Sequence, residues 1–188
     1  LYSFTLYIIF NSRKIERMLN KNKLLDLLNI ENIKYSIYDH EALFSVNDSV
    51  EKRGRINGAH TKNLFLKDKK NNYYLVSCLE NTNINLKNFN KAINAKNLSF
   101  ASEEKLIQFL GVKAGAVSPF GLLNDKENLV KFFLDHSLND FEFVNFHPLE
   151  NTSTVNLKFS DLISTCNGEI AIGSGSRLPR VISISISA

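Results

Sequence analysis

The run Thr61-Lys62-Asn63-Leu64-Phe65-Leu66-Lys67-Asp68-Lys69-Lys70-Asn71-Asn72-Tyr73-Tyr74-Leu75-Val76-Ser77-Cys78-Leu79 decides the architecture. Lys62–Lys67 reads as a strand and Tyr73–Leu79 as a second, apolar one. Between them, Asp68 to Asn72 is polar, rich in turn-forming residues, and of ordinary hairpin length. A hairpin here anchors a sheet, and the flanking segments supply its other members.

Upstream, Asn20–Asn32 carries Leu24, Leu25, Leu27, Leu28 and Ile30 at helical spacing, and Lys34–Asp39 alternates like a strand. Ser45-Val46-Asn47-Asp48 resembles a capping box, which predicts a helix from about Val46 to Arg55. Downstream, Leu86–Ile93 is a weak helix and Leu98–Ala101 a short strand. Ser102 caps a helix that Glu103 and Glu104 charge and Gly111 stops. Gly115–Asp125 reads as a loop and Leu129–Leu134 as a central strand. Phe141–Phe146 and Thr152–Leu157 are further strands, and Ser160–Thr165 begins a helix. Strands and helices mix without strict alternation. The expected fold is therefore α+β, a mixed central sheet flanked by helices.

With 188 residues and 44% hydrophobic content, the chain can bury one substantial core. The formal charge of +4 is compatible with an acidic partner and does not demonstrate one. Cys78 lies in an apolar strand and Cys166 stands alone. With no CxxC pair, a zinc site or redox dithiol is not expected, and a reducing cytoplasm is. Leu1–Phe10 is apolar but only about half the length of a membrane span. It also lacks the marks of a signal peptide, so no membrane association is expected. Met18 is the sole methionine, so residues 1–17 are expected to be a non-native or disordered extension ahead of a domain at 18–166. Residues 167–188 form an atypical tail, in which Gly173-Ser174-Gly175-Ser176 looks like a linker and Val181–Ala188 alternates Ile and Ser, which reads either as a strand or as meaningless sequence.

Familiar catalytic patterns are missing. There is no GxSxG elbow, no P-loop, and no metal spacing among His40, His60, His136 and His147. Three segments still stand out. Lys62 follows a glycine-containing turn and can aim a compact charge at a phosphate, although taken alone a solvated lysine at a strand end explains it better. Gly111–Gly121 is rich in small residues whose N–H groups can bind anions, or it is an ordinary tight connection. His147 ends a strand before Pro148, and it either faces a cleft or is satisfied within a turn.

In this order the three segments resemble the YbaK/prolyl-tRNA editing family. Thr61–Asp68 resembles its TKNLFLxD motif, Gly115–Asp125 its GxVSPFGLxND loop, and Phe146–Thr154 its FHPLxNTxT motif. The likeness runs from about Asn20 to Thr165, and the SPFGLLND loop resembles the ProX/PrdX-like branch that clears alanine from proline tRNA.

The resemblance implies a tRNA acceptor end as substrate, no cofactor, no metal, and no side-chain nucleophile. Water, oriented partly by a ribose hydroxyl, would attack the aminoacyl ester. Lys62 would contact the terminal phosphate region, N–H groups around Gly115 would steady the oxyanion, and Asn63 and His147 would shape the pocket. Ala116, Ser118, Pro119, Asn151 and Thr154, from the same motifs, are further substrate-binding candidates. Phe44, Val46 and Phe120 are candidate pocket walls, core packing being the plainer account of Phe44. Prolyl-tRNA synthetase is an implied partner. Alternatives are removal of cysteine or serine on the same fold, or a non-catalytic module that binds tRNA or a synthetase. The family usually closes with a longer final helix, which the Ser/Ile-rich tail replaces here.

Overall fold

A computed structural model describes residues 18–42, 55–167, 182–184 and 186. The expected extension at 1–17, the helix expected from about Val46, and Phe44 and Val46 themselves lie outside the described residues.

The chain opens with α1 (Lys21–Ile30), whose Leu24 and Leu28, one turn apart, are fully buried. Asn20 caps its start by accepting from the Lys23 amide at 3.1 Å. Its end is closed by Asn32 in left-handed conformation (φ 57°). The Asn32 and Ile33 amides bond back to the Asn29 and Leu28 carbonyls, and the buried Ile33 follows. Asparagine stands where glycine is commoner, and the helix ends within the expected bounds of Asn20–Asn32.

Strands β1 (Tyr35–Asp39), β2 (Ala59–Lys67) and β3 (Tyr73–Leu79) come next. The hairpin forms as read, with Lys67 opposite Tyr73 and Thr61 opposite Leu79. Its turn is organised by Asp68, which accepts the Lys70 and Asn72 amides, the Asn72 side chain and the Tyr74 hydroxyl. After α2 (Leu86–Ala92), the short β4 (Ser99–Phe100) pairs with the far end of β2. In α3 (Glu103–Leu110) the expected glycine stop is present at Gly111 (φ 69°). The expected serine cap is only half right. Ser102 occupies the cap position, but its hydroxyl makes no capping bond, and the dipole is met by Glu103 and Glu104.

Pro119–Asn124, expected as loop, is a 3₁₀ helix. It leads to β5 (Val130–Asp135), a second 3₁₀ turn at His136–Asp140, β6 (Phe143–Phe146), β7 (Ser153–Lys158), α4 (Phe159–Asn167) and β8 (Ile182–Ile184). Among the described residues these strands form one open mixed sheet in the order β1-β7-β6-β2-β3-β5-β8, with β4 on β2. The α+β architecture expected from the sequence is the one that forms.

Two details differ from expectation. β5 is not central but second from an edge, because β8 pairs with it in parallel. Its apolar run comes from burial on both faces rather than a middle position. The alternating Ile/Ser tail supplies that edge strand, and Ile186 is buried.

Strand alternation sends β3 side chains into two cores. Tyr73 and Leu75 join Phe65, Phe132, Leu134 and the buried leucines of α1 and α3. Tyr74, Val76 and Cys78 join Leu66, Phe133 and Phe89 of α2. Helices therefore cover both faces, which leaves no solvent-facing row of polar residues in β3.

β2 belongs to both halves of the sheet. Its first residues, Ala59 and His60, run parallel to Val144 and Asn145 of β6, whereas Thr61 onward pairs with β3. That switch positions the site.

Candidate active site

His60 and Asn145 form the last rung shared by β2 and β6. Lys62 and His147 each lie two residues beyond it, where the strands part. The Thr61 hydroxyl donates to the Asn145 carbonyl at 2.7 Å and fixes this parting. Behind it, the Asn145 side-chain amide donates to the Asn57 and Ala59 carbonyls at 2.9 and 3.2 Å, and Asn156 donates to Asn57 at 2.8 Å.

His147 and Gly115 are in direct contact: Nδ1 lies 2.9 Å from the Gly115 carbonyl oxygen. A carbonyl only accepts, so Nδ1 carries the proton and donates. In the neutral ring Nε2 is then the basic nitrogen. Gly115 has φ 87°, a conformation an L side chain adopts only with strain. The motif glycine thus serves to turn a carbonyl toward the imidazole.

The neighbouring amide is already in use. Ala116 N–H donates to the Lys113 carbonyl at 3.1 Å, so it closes a turn rather than aiming at a substrate.

The Lys62 ammonium donates to the Thr82 carbonyl, in the connection after β3. Lys62 pairs across the strand with Cys78. Burial pushes the Cys78 thiol up to about 11, with the Lys62 charge pulling the other way and Asp135 adding to the rise. At neutral pH Cys78 is a protonated core residue and no nucleophile. Asn63 points to the other face of the sheet, where its Oδ1 accepts the Ser77 hydroxyl at 2.6 Å.

His40, just past β1, is a neighbour that sequence reasoning considered only as a metal ligand. Its ring centroid lies 6.0 Å from that of His147. Its Nδ1 donates to the Glu41 carbonyl at 2.8 Å, so in the neutral ring Nε2 accepts from the Thr154 hydroxyl at 2.9 Å. One signal pointed this way, for His40 ends a strand just as His147 does. Thr154 is buried, and Asn151 lies in the turn before β7.

Other motif residues hold the frame. Ser118 is fully buried and accepts the Phe120 amide at 3.2 Å, capping the 3₁₀ helix whose first residue is Pro119. Ala116 and Phe120 belong to the core. Phe120, expected as a pocket wall, stands edge-on to Phe146 with 1% of its surface exposed. It supports the site from behind because its ring is consumed by packing. A Cβ on Gly121 would stand 2.9 Å from Leu110 Cβ, so this glycine lets the 3₁₀ helix rest on α3. Asn124 donates to the Leu110 carbonyl at 2.9 Å and accepts the Leu19 amide at 2.7 Å, and Asp125 accepts the Val130 amide at 2.7 Å. The end of that motif is scaffold.

Among the described residues no three His, Cys, Asp or Glu side chains stand together as a metal site, and no helix is long and apolar enough to cross a membrane.

A small-residue turn held against a strand-end histidine, with a lysine on the adjoining strand, invites comparison with known proteins. The family model described as aminoacyl-tRNA editing domain matches residues 40–165. This chain belongs to that family. Among aminoacyl-tRNA editing relatives, the prolyl-tRNA editing protein ProX of Acetoanaerobium sticklandii is 38% identical over 132 residues, covering 69% of this chain and 80% of ProX. The mouse prolyl-tRNA synthetase associated domain-containing protein 1 is 36% identical over 136 residues, covering 70% of this chain and 80% of the mouse protein. A crystal structure described as a candidate trans-editing enzyme for prolyl tRNA synthetase superposes with a TM-score of 0.60. It covers 88% of this chain and 96% of its own at 15% identity, a likeness of fold alone.

Proposed function

We propose that this chain is a trans-editing deacylase that hydrolyses alanyl-tRNA(Pro). Family membership supports an editing role, and the relation to ProX supports proline tRNA as the substrate class. The observation that carries the chemistry is the His147–Gly115 contact at the point where β6 leaves β2, with Lys62 on the adjoining strand.

In this reading Lys62 exchanges its Thr82 carbonyl for the terminal phosphate region of the tRNA. His147, oriented through Nδ1, presents Nε2 to the aminoacyl end. Water adds to the ester carbonyl and the ribose oxygen leaves, which yields free amino acid and uncharged tRNA. No protein nucleophile is required, because positioning and electrostatic stabilisation carry the rate. The Ala116 amide is occupied, so the oxyanion is met by substrate hydroxyl, water or the other amides of the turn. The names of the mouse and human relatives support a prolyl-tRNA synthetase as partner. The place of action is the cytoplasm, where that synthetase charges its tRNA.

The test is deacylation of proline tRNA charged with alanine, proline, cysteine or serine. Turnover of the alanyl ester with proline spared supports the proposal. Preference for cysteine or serine reassigns the substrate. Binding without turnover of any ester replaces the enzyme with a binding module.

A further inference from the structure

α1 begins against its own dipole. Its first turn holds no acid, and it opens with Lys21 and Lys23 at the end that favours negative charge. A local rule broken this way points to a tertiary reason. For Lys21 the reason is visible. Its ammonium lies 3.0 Å from Asp39 Oδ1 and 2.9 Å from Glu150 Oε1.

Those two carboxylates flank the imidazole pair. Asp39 immediately precedes His40, and Glu150 follows His147 by three residues. The chain between His147 and Glu150 includes Leu149 at φ 68°, a left-handed conformation that a leucine holds only when its surroundings impose it. Leu149 packs against the core, and Glu150, next in the chain, is held at several points. Besides Lys21 it accepts the Thr152 hydroxyl at 3.0 Å and the Ser153 hydroxyl at 3.1 Å. The side chain of Lys21 is 21% exposed, that of Glu150 41% and that of Asp39 77%, so the Glu150 arm carries most of the interaction.

The protonation behaviour agrees. Partial burial works against both charges; the Glu150 and Asp39 carboxylates outweigh it at Lys21, and bonds from Lys21, Thr152 and Ser153 outweigh it at Glu150. Lys21 sits above its usual range and Glu150 below.

We propose that Lys21 is a positioning residue that sets the spacing of His40 and His147 by tying the end of β1 to the turn after β6. Its role is to keep His147 oriented toward the aminoacyl end with the His40 ring beside it, so it rests on the editing reading above. Lys21 and Asp39 lie outside residues 40–165, the span of the family match, whereas Glu150 lies within it.

The experiment compares Lys21→Met, Lys21→Arg and Glu150→Gln in the full chain by two readouts. The first is the side-chain nitrogen NMR signals of His40 and His147, which need no substrate. The second is deacylation of alanyl-tRNA(Pro). Lys21→Met and Glu150→Gln are expected to shift both imidazole signals and lower kcat roughly ten- to a hundredfold with KM within about twofold. Lys21→Arg is expected to restore both. Unchanged imidazole signals in Lys21→Met or Glu150→Gln overturn the clamp, even if melting temperature falls. Shifted signals in a protein whose wild type has no turnover retain the clamp and overturn the editing reading instead.

Discussion

Asn63 follows Lys62 in β2 and turns to the opposite face of the sheet, where it accepts the hydroxyl of the fully buried Ser77 at 2.6 Å. The two residues are neighbours in one motif, yet strand alternation gives them separate surroundings. Asn63→Ala leaves a buried hydroxyl without its acceptor. The expected cost is about 1–3 kcal/mol of stability. Denaturant unfolding measures it. Activity, measured where both proteins are folded, is expected to fall less than for Lys62→Ala.

Lys62→Ala is expected to remove deacylation while leaving the melting temperature within a few degrees, because the half-buried ammonium gives up one carbonyl partner. If Lys62 meets a phosphate, the slope of log affinity against log salt should fall by roughly 0.7 for a single-stranded end. An unchanged slope would place the lysine elsewhere in the reaction.

Thr154→Val keeps volume and deletes the hydroxyl that His40 Nε2 accepts. The loss of one hydrogen bond, about 1 kcal/mol, predicts a fall in kcat of roughly fivefold and a shifted His40 ring signal. Comparing the two in one sample preparation checks whether His40 orientation matters to turnover.

Asp68 gives a pH signature. Burial opposes its charge, but hydrogen bonds from Asn72, Tyr74 and Lys70 prevail and hold its carboxyl below the usual range. A folded pKa lower than the unfolded one stabilises above the unfolded value and is lost as pH falls through the folded one. Stability should therefore decline below about pH 4 in the wild type. Asp68→Asn should lower stability by roughly 1–3 kcal/mol at pH 7 and flatten that acid limb. Unfolding curves from pH 2 to 7 measure both effects.

Legibility in the sequence followed the range of the interaction. The hairpin was readable because the strands, the turn and Asp68 lie within a short local stretch. The 3₁₀ helix at Pro119–Asn124 was not, since Pro and Gly also mark plain loops. The place of β5, second from an edge, depended on a tail about fifty residues away in the chain, and an apolar run looks the same wherever both faces are covered. At the site, Lys62, Gly115 and His147 stood out only as members of a motif set. His40 offered only its place at a strand end, because its hydroxyl partner lies 114 residues distant. Ser118 read as a substrate contact from the motif, while its bond, like those of Asn124 and Asp125 in the same motif, caps or staples the frame.

The obstacle facing position 121 is the Cβ of Leu110, an atom every amino acid but glycine carries. Trimming residue 110 to alanine therefore gives no relief. Glycine would remove that atom but leave the carbonyl oxygen of residue 110 at 3.2 Å, and glycine in a helix costs roughly 1 kcal/mol relative to alanine, in addition to the buried leucine it would replace. No compensating exchange is open to this pair. Drift at 121 is blocked by a neighbour's shape, whatever substrate the protein meets.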